Sequence, residues 1–261
     1  GASLYARHYA ADAGVTLLLL HGLSGNSYTF NTTCGKIRKA MDAEIYALDH
    51  RGHGKSDGRR GDVDYIGQYD DDVADAIAKI RAEKPEGRLI LAGHSMGGGI
   101  ALRYAMKNNP SDVDGYLLFA PHLGFNSPTA DKGEAVGGPI HLGRMVGLFM
   151  LNMFGIDGFN DLGIGFFGDP PDSPQSPVGV YTYRAFSSVA PTDYRSALAA
   201  VDKPLLVVVG SNDEAFSVEH FKPVIEENSN GQLLLFDGLG HNGIMYDDKV
   251  IAAVGEWIRK L

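Results

Sequence analysis

The chain has 261 residues, enough for one large α/β domain with a substantial core, and no Pro/Gly/Ser-rich linker, charge block or internal repeat divides it. A net charge of −9, from 23 Lys and Arg against 32 Asp and Glu, argues against nucleic acid or an anionic membrane surface as the main partner, because both require clustered basic side chains. Cys34 is the only cysteine, which excludes an intramolecular disulfide, and no apolar stretch is long enough to insert stably in a bilayer; a cytoplasmic protein is the expectation, with a removed signal peptide left open because the chain starts at Gly1.

In chain order, apolar strand-like runs fall at Thr16–Leu20 and Glu44–Leu48, followed by a helical segment, Asp70–Ile80, with Val73, Ile77 and Ile80 on one stripe. A strand at Leu89–Ala92, a helix over Ile100–Lys107 and a strand at Tyr116–Phe119 come next. After a long middle stretch the alternation resumes with strand Leu205–Val209, helix Val218–Glu227 and strand Leu233–Phe236. The final helix, Val250–Leu261, sets Val250, Val254, Trp257, Ile258 and Leu261 on one face. Most strands are apolar on both faces, which predicts an α/β fold with a mostly parallel central sheet and helices on both sides. The apolar helix stripes read as core positions. Asn31-Thr32-Thr33 has the form of a glycosylation acceptor, and Asn31 serves equally well as a helix cap.

Polar clusters sit at the carboxyl ends of four predicted strands, where open α/β sheets collect their chemistry. They are His21-Gly22-Leu23-Ser24-Gly25, Gly93-His94-Ser95-Met96-Gly97, Gly210-Ser211-Asn212-Asp213-Glu214 and Asp237-Gly238-Leu239-Gly240-His241. In the second cluster a lone serine stands between glycines where a strand gives way to a helix. A tight strand-to-helix reversal strains its turning residue, and glycines let the two backbones pass closely, leaving the serine hydroxyl at the tip. The order along the chain is Ser95, Asp213, His241. His21, His94 and His141 are scattered and no His/Cys/Asp cluster has metal-ligand spacing, so neither a metal nor a cofactor is expected.

These residues resemble the α/β-hydrolases, whose nucleophile elbow has the form G-x-S-x-G and whose triad follows this order. "ALDHRGHGKSDG" (Ala47 to Gly58) and "GHSMGG" further resemble the monoacylglycerol lipase, lysophospholipase and serine aminopeptidase branch. The resemblance covers the chain apart from its middle and places its start near that family's second strand. It implies a serine hydrolase acting through an acyl-enzyme, with Ser95 as nucleophile, His241 as base and Asp213 holding the imidazole. It also implies an oxyanion hole made by the backbone N–H groups of Leu23 and Met96. Glu214, beside Asp213, is an alternative acid. His50 and His53, in a glycine-rich loop, read as turn-stabilising residues, and His122 as a pocket residue. The middle, roughly residues 125–188 of a single 1–261 domain, replaces a plain crossover and is expected to form an inserted cap. Its Met-rich stretch offers Met145, Leu148, Phe149 and Phe154 as substrate-binding residues for an acyl chain.

The expected substrate is a carboxylic ester, monoacylglycerol-like or another small lipophilic ester, as the small-molecule partner. Oligomeric state is not legible in the sequence. Two other readings stay open. A proline-type aminopeptidase would use cap acids such as Asp157, Asp161, Asp169 and Asp172 for the substrate amine, and a non-catalytic binder of the same fold would keep the pocket without turnover.

Overall fold

The computed structural model describes residues 2–108, 112–130, 140–168 and 177–261. Its elements in chain order are β1 (Ala6–Tyr9), β2 (Val15–Leu20), α1 (Asn31–Met41), β3 (Glu44–Leu48), α2 (Gln68–Glu83), β4 (Arg88–His94), α3 (Met96–Asn108), β5 (Gly115–Phe119), α4 (Leu142–Met153), β6 (Gly163–Phe166), β7 (Val180–Thr182), α5 (Tyr183–Phe186), α6 (Tyr194–Ala199), β8 (Leu205–Gly210), α7 (Phe221–Asn228), β9 (Gln232–Phe236) and α8 (Asp248–Lys260).

Seven strands form one sheet in the order β1-β3-β2-β4-β5-β8-β9, all parallel except β1, which runs antiparallel to β3 at the edge. The period-2 alternation of side chains divides the core into two layers. Leu17, Leu19, Ile90, Ala92, Leu117, Phe119, Leu206 and Val208 pack with Cys34 and Ile37 of α1 and with Val250, Val254, Trp257 and Ile258 of α8. On the other face Leu18, Leu20, Leu89, Leu91, Tyr116, Leu118, Leu205 and Val207 meet α2, α3, α6 and α7. Each buried Leu, Ile or Val contributes about 1.5–3 kcal/mol relative to exposure, which makes this two-sided burial the main reason the strands read as continuous apolar runs. The Arg103 guanidinium binds the Asp70 carboxylate through two 3.0 Å hydrogen bonds, tying α3 to α2.

Three local expectations change. Strand β1 escapes apolar-run analysis because its sequence is Ala-Arg-His-Tyr; as an edge strand it is held partly by polar contacts, His8 Nε2 lying 2.6 Å from Glu44 Oε1 with its ring stacked on Tyr46. The helix expected over Val218–Glu227 is a short 3₁₀ turn, Val218–His220, followed by α7. A single helix from Val218 would need an N–H at Pro223, which proline lacks. Asn31 does not N-cap α1: it is that helix's first residue, closes the preceding 3₁₀ turn as its C-cap and accepts a 3.0 Å bond from the Tyr9 hydroxyl, while Asn26 N-caps that turn.

Between β5 and α6 the chain leaves the sheet. Its described residues supply helix α4, the small antiparallel β6–β7 pair and α5. Loop 49–64 grips this excursion. Thr182 N–H donates to Gly61 C=O at 3.0 Å, a Cβ on Gly61 would lie 1.9 Å from the Val180 oxygen, and the Arg184 guanidinium binds the Asp62 carboxylate through two 2.8 Å bonds. Asp49 closes the loop from within by accepting from the Ser27 and Lys55 N–H groups, and a Cβ on Gly54 would collide with its carboxylate.

Candidate active site

Ser95 is the one residue between β4 and α3, and its φ of +53° is the left-handed conformation that a non-glycine residue adopts only under constraint. The constraint is visible. Ser95 N–H donates to Phe119 C=O at 2.9 Å, and Ser95 C=O accepts from Gly98, Gly99 and His122 N–H. A Cβ on Gly93 would stand 2.4 Å from the Gly97 carbonyl carbon, and one on Gly97 would stand 2.2 Å from the Leu20 oxygen. The flanking glycines are thus required by backbone contact, as the pentapeptide suggests.

Asp213 and His241 meet on the loops after β8 and β9. A Cβ on Gly210 would lie 2.1 Å from the Leu239 oxygen, so glycine lets the two loops touch. The Asp213 side chain is wholly buried. Its Oδ1 accepts from the Ala215 and Phe216 N–H groups at 2.8 and 3.0 Å, and its Oδ2 lies 2.8 Å from His241 Nδ1. A carboxylate in this setting only accepts, so His241 Nδ1 carries a proton and Nε2 is the ring nitrogen turned away from Asp213. Glu214 takes a different part: its Oε2 accepts the His241 backbone N–H at 2.9 Å, and the imidazole is bonded to Asp213. His94 Nε2 donates to the His241 C=O at 3.1 Å, and the His241 ring packs against His94 and edge-on to Phe216.

Ser95 and His241 open onto a common cavity of about 420 Å³. Leu23 and Met96 line it as well, and among the described residues neither amide has a protein acceptor, so both N–H groups are available to a ligand oxygen. His122 is a lining residue too, with its Nδ1 accepting the Gly124 N–H at 3.0 Å. Burial pushes several neighbouring imidazoles down: His21 and His122 to about 4, His53 and His94 to about 3, and His50 well below its usual value. They are neutral at ordinary pH. His50 and His53 sit under the loop after β2, with the His50 N–H donating to His21 Nε2 at 3.2 Å, in keeping with a structural part. Among the described residues no group of three or more His, Cys, Asp or Glu side chains is arranged to hold a metal ion, and no helix is long and apolar enough to cross a membrane.

The four residues expected to bind substrate do not line the cavity. Leu148 is 4% exposed and packs into the core, Phe149 and Phe154 are 58% and 79% exposed, and half-buried Met145 packs against the core. Helix α4 buries one face and turns the other to solvent. The described apolar walls come instead mainly from Phe125, Ile140, Phe167, Phe186 and Val189 on the excursion, with Phe216 beyond it. Phe125 stacks on Phe186 at 5.0 Å and meets His122 edge-on at 4.6 Å. Neither Phe125 nor Phe216 is singled out from the sequence as a binding residue; each stands three positions after a polar residue that is singled out there, His122 and Asp213. Asp157 and Asp161 are exposed and away from the cavity; Asp169 and Asp172 lie outside the described residues.

A parallel sheet with an antiparallel edge, a strained serine after its central strand and a His–Asp pair on the two loops beyond define the α/β-hydrolase fold. The fold agrees with the crystal structure of Paleococcus ferrophilus monoacylglycerol lipase, TM-score 0.74 at 20% identity over 99% of both chains. A family model described as "Serine aminopeptidase, S33" matches residues 11–151, more than half of the chain, and the chain belongs to that family. It is similar to the AB hydrolase superfamily protein YisY of Bacillus subtilis, 28% identical over an alignment of 251 positions that covers 90% of this chain and 88% of that one. It is also similar to the monoacylglycerol lipase of Mycolicibacterium smegmatis, 24% identical over an alignment of 255 positions that covers 95% of this chain and 89% of that one. The chain is thus a hydrolase of the α/β-hydrolase fold.

Proposed function

We propose that this enzyme hydrolyses small lipophilic carboxylic esters, monoacylglycerol-like ones among them, with Ser95, His241 and Asp213 as the triad and residues 125–188 as a cap over it. The observation that carries the reading is the buried Asp213–His241 bond, which leaves a bare imidazole nitrogen in the same apolar cavity as a serine held on a strained elbow. His241 Nε2 takes the Ser95 hydroxyl proton as Oγ attacks the ester carbonyl carbon. The carbonyl oxygen becomes an oxyanion facing the Leu23 and Met96 N–H groups, the latter at the N-terminus of α3. The tetrahedral intermediate collapses as His241 gives its proton to the leaving alkoxide, releasing the alcohol and leaving acyl-Ser95. Water then attacks the acyl carbon, His241 takes and returns its proton, and the carboxylic acid departs.

Esters are favoured over aminoacyl amides because no carboxylate lies among the described cavity residues to pair a substrate ammonium. The test is labelling by a fluorophosphonate together with turnover of acyl esters of graded length beside prolyl and other aminoacyl amides. Ser95→Ala is expected to abolish both labelling and turnover in a folded protein; labelling of the variant at the parent level, or faster turnover of the amides, refutes the proposal.

A further inference from the structure

The loop after β2 is fixed from outside the sheet. Leu23 and Ser24 are the two central residues of a turn closed by the Gly25 N–H on the Gly22 C=O at 3.1 Å, and Ser24 has φ +59°, a second strained non-glycine residue at the site. Both hydrogen-bond donors of Ser24 are taken up by the far end of the cap: its N–H donates to the Tyr181 hydroxyl at 2.8 Å and its Oγ–H to the Val178 C=O at 2.8 Å. Tyr181 is fully buried on β7. Its hydroxyl oxygen also lies 2.7 Å from His53 Nε2, while His53 Nδ1 lies 2.9 Å from the Arg51 C=O.

The chemistry of these partners gives the bonds one direction. A carbonyl only accepts, so the His53 proton is on Nδ1 and its Nε2 must accept. The Tyr181 O–H therefore donates to His53 Nε2, and its lone pairs face the Ser24 N–H. Burial holds His53 neutral, with its pKa down at about 3, so this polarity persists across the working range. Strand β7 cannot drift, because Thr182 and Arg184 lock it to Gly61 and Asp62.

We propose that Tyr181 is a positioning residue for the oxyanion site: its hydroxyl, oriented by His53, pins the Ser24 amide and so sets the direction of the Leu23 N–H in the same turn. The inference rests on the reading of Leu23 as an oxyanion donor. In consequence the cap shapes the reaction centre as well as the cavity wall, although it contributes no side chain to the triad.

Tyr181→Phe removes one oxygen and keeps the ring. Misplacing a catalytic group by about 1 Å can cost on the order of 10²-fold, so kcat should fall about ten- to a hundredfold. KM should change by no more than about twofold, because only the transition state loses an interaction. Inhibition by a trifluoromethyl ketone, whose adduct with Ser95 bears the oxyanion, should weaken by the same factor as kcat/KM, and the loss should be constant from about pH 6.5 to 8.5, since no link in the chain titrates there. His53→Leu should behave like Tyr181→Phe, His53→Gln should retain more activity because its amide oxygen can still accept, and the double variant Tyr181→Phe/His53→Leu should be no worse than the poorer single one. If Tyr181→Phe fails to fold, His53→Leu against His53→Gln decides the matter through the same ketone. Folded variants whose kcat and ketone inhibition stay within about twofold of the parent, or which change KM and Tm alone, overturn the proposal. In the same panel, a Ser95→Ala protein that still turns over ester refutes the triad reading and this inference with it; loss of turnover in Ser95→Ala beside a normal Tyr181→Phe refutes this inference alone.

Discussion

Replacing Asp213 by Asn tests the assignment of the acid, and the geometry sets the size of the effect. Asp213 Oδ1 receives two backbone N–H groups, from Ala215 and Phe216, whereas Oδ2 receives only His241 Nδ1–H. An asparagine can point its oxygen one way only. Turned toward His241, it would aim its NH₂ at two buried donors, leaving both unpaired at about 1–3 kcal/mol each. Turned toward the two amides it keeps their bonds and presents N–H to His241 Nδ1, which must then accept. The imidazole is driven to the tautomer protonated on Nε2, and the base is lost. We expect kcat to fall by about 10⁴, the scale found when such a histidine is held in the wrong tautomer. That fall corresponds to about 5.4 kcal/mol of barrier at 1.36 kcal/mol per tenfold. Tm should change little, because the amide keeps the bonds to Ala215 and Phe216. Glu214→Gln should cost far less, since its remaining oxygen still accepts the His241 backbone N–H. Steady-state hydrolysis of a p-nitrophenyl ester by the two purified variants, with melting curves, decides the question. An Asp213→Asn enzyme within about tenfold of the parent, or a larger loss in Glu214→Gln, refutes the reasoning.

Two further outcomes follow from the burial pattern. His21, His50, His53, His94 and His122 are neutral in the fold, with pKa values at about 3 or 4 or well below normal, whereas an unfolded histidine titrates near 6.5. The unfolded chain binds more protons as pH falls, so stability is full above about pH 6.5 and is lost progressively toward pH 4 and 3, each site contributing up to about 1.4 kcal/mol per pH unit. Tm measured in constant-ionic-strength buffers should drop steeply between about pH 6.5 and 4, and a flat profile over that window contradicts the neutral cluster. For the cavity, kcat/KM should rise with acyl length by at most about fourfold per methylene, from roughly 0.8 kcal/mol per buried CH₂, and then level off. Phe125→Asp should flatten that slope, exposed Phe154→Asp should leave it unchanged, and buried Leu148→Asp should lower Tm sharply. An effect of Phe154→Asp on the slope equal to that of Phe125→Asp would move the acyl site back to α4.

The sheet was legible because its strands are buried on both faces. The runs at Thr16–Leu20, Leu89–Ala92 and Leu205–Val209 carry no polar residue but Thr16 to obscure them, and each leads into a loop of the candidate site. The elbow was legible for a related reason: backbone contact at Gly93 and Gly97 leaves a mark that only glycine can make. What the sequence does not carry is direction. Met145–Ile156 is apolar around most of its circumference, and periodicity alone cannot say which side faces a cavity; in the fold the amphipathic pattern is reversed at Phe149 and Phe154. The bonds joining Ser24 to Tyr181 and Val178 span more than 150 residues, and no local pattern announces them.

Electrostatics links these parts to the choice of substrate. The described cavity wall is mainly aromatic and aliphatic, with backbone amides, imidazoles and the uncharged polar residues Ser24, Thr29 and Asn242 among its lining, and the Asp213 carboxylate is sealed behind His241. An ammonium group brought into such a wall would lose its hydration with no carboxylate to repay it, at a cost of several kcal/mol. In the proposed mechanism a neutral ester would lose little on entry and would become charged only on attack by Ser95. The same low polarity would then strengthen the proposed Leu23 and Met96 N–H bonds to the oxyanion. On that reading a wall that repels a charged ground state while two fixed dipoles await a charged transition state favours ester hydrolysis at both stages, and it requires that the Leu23 turn be held rigidly in place.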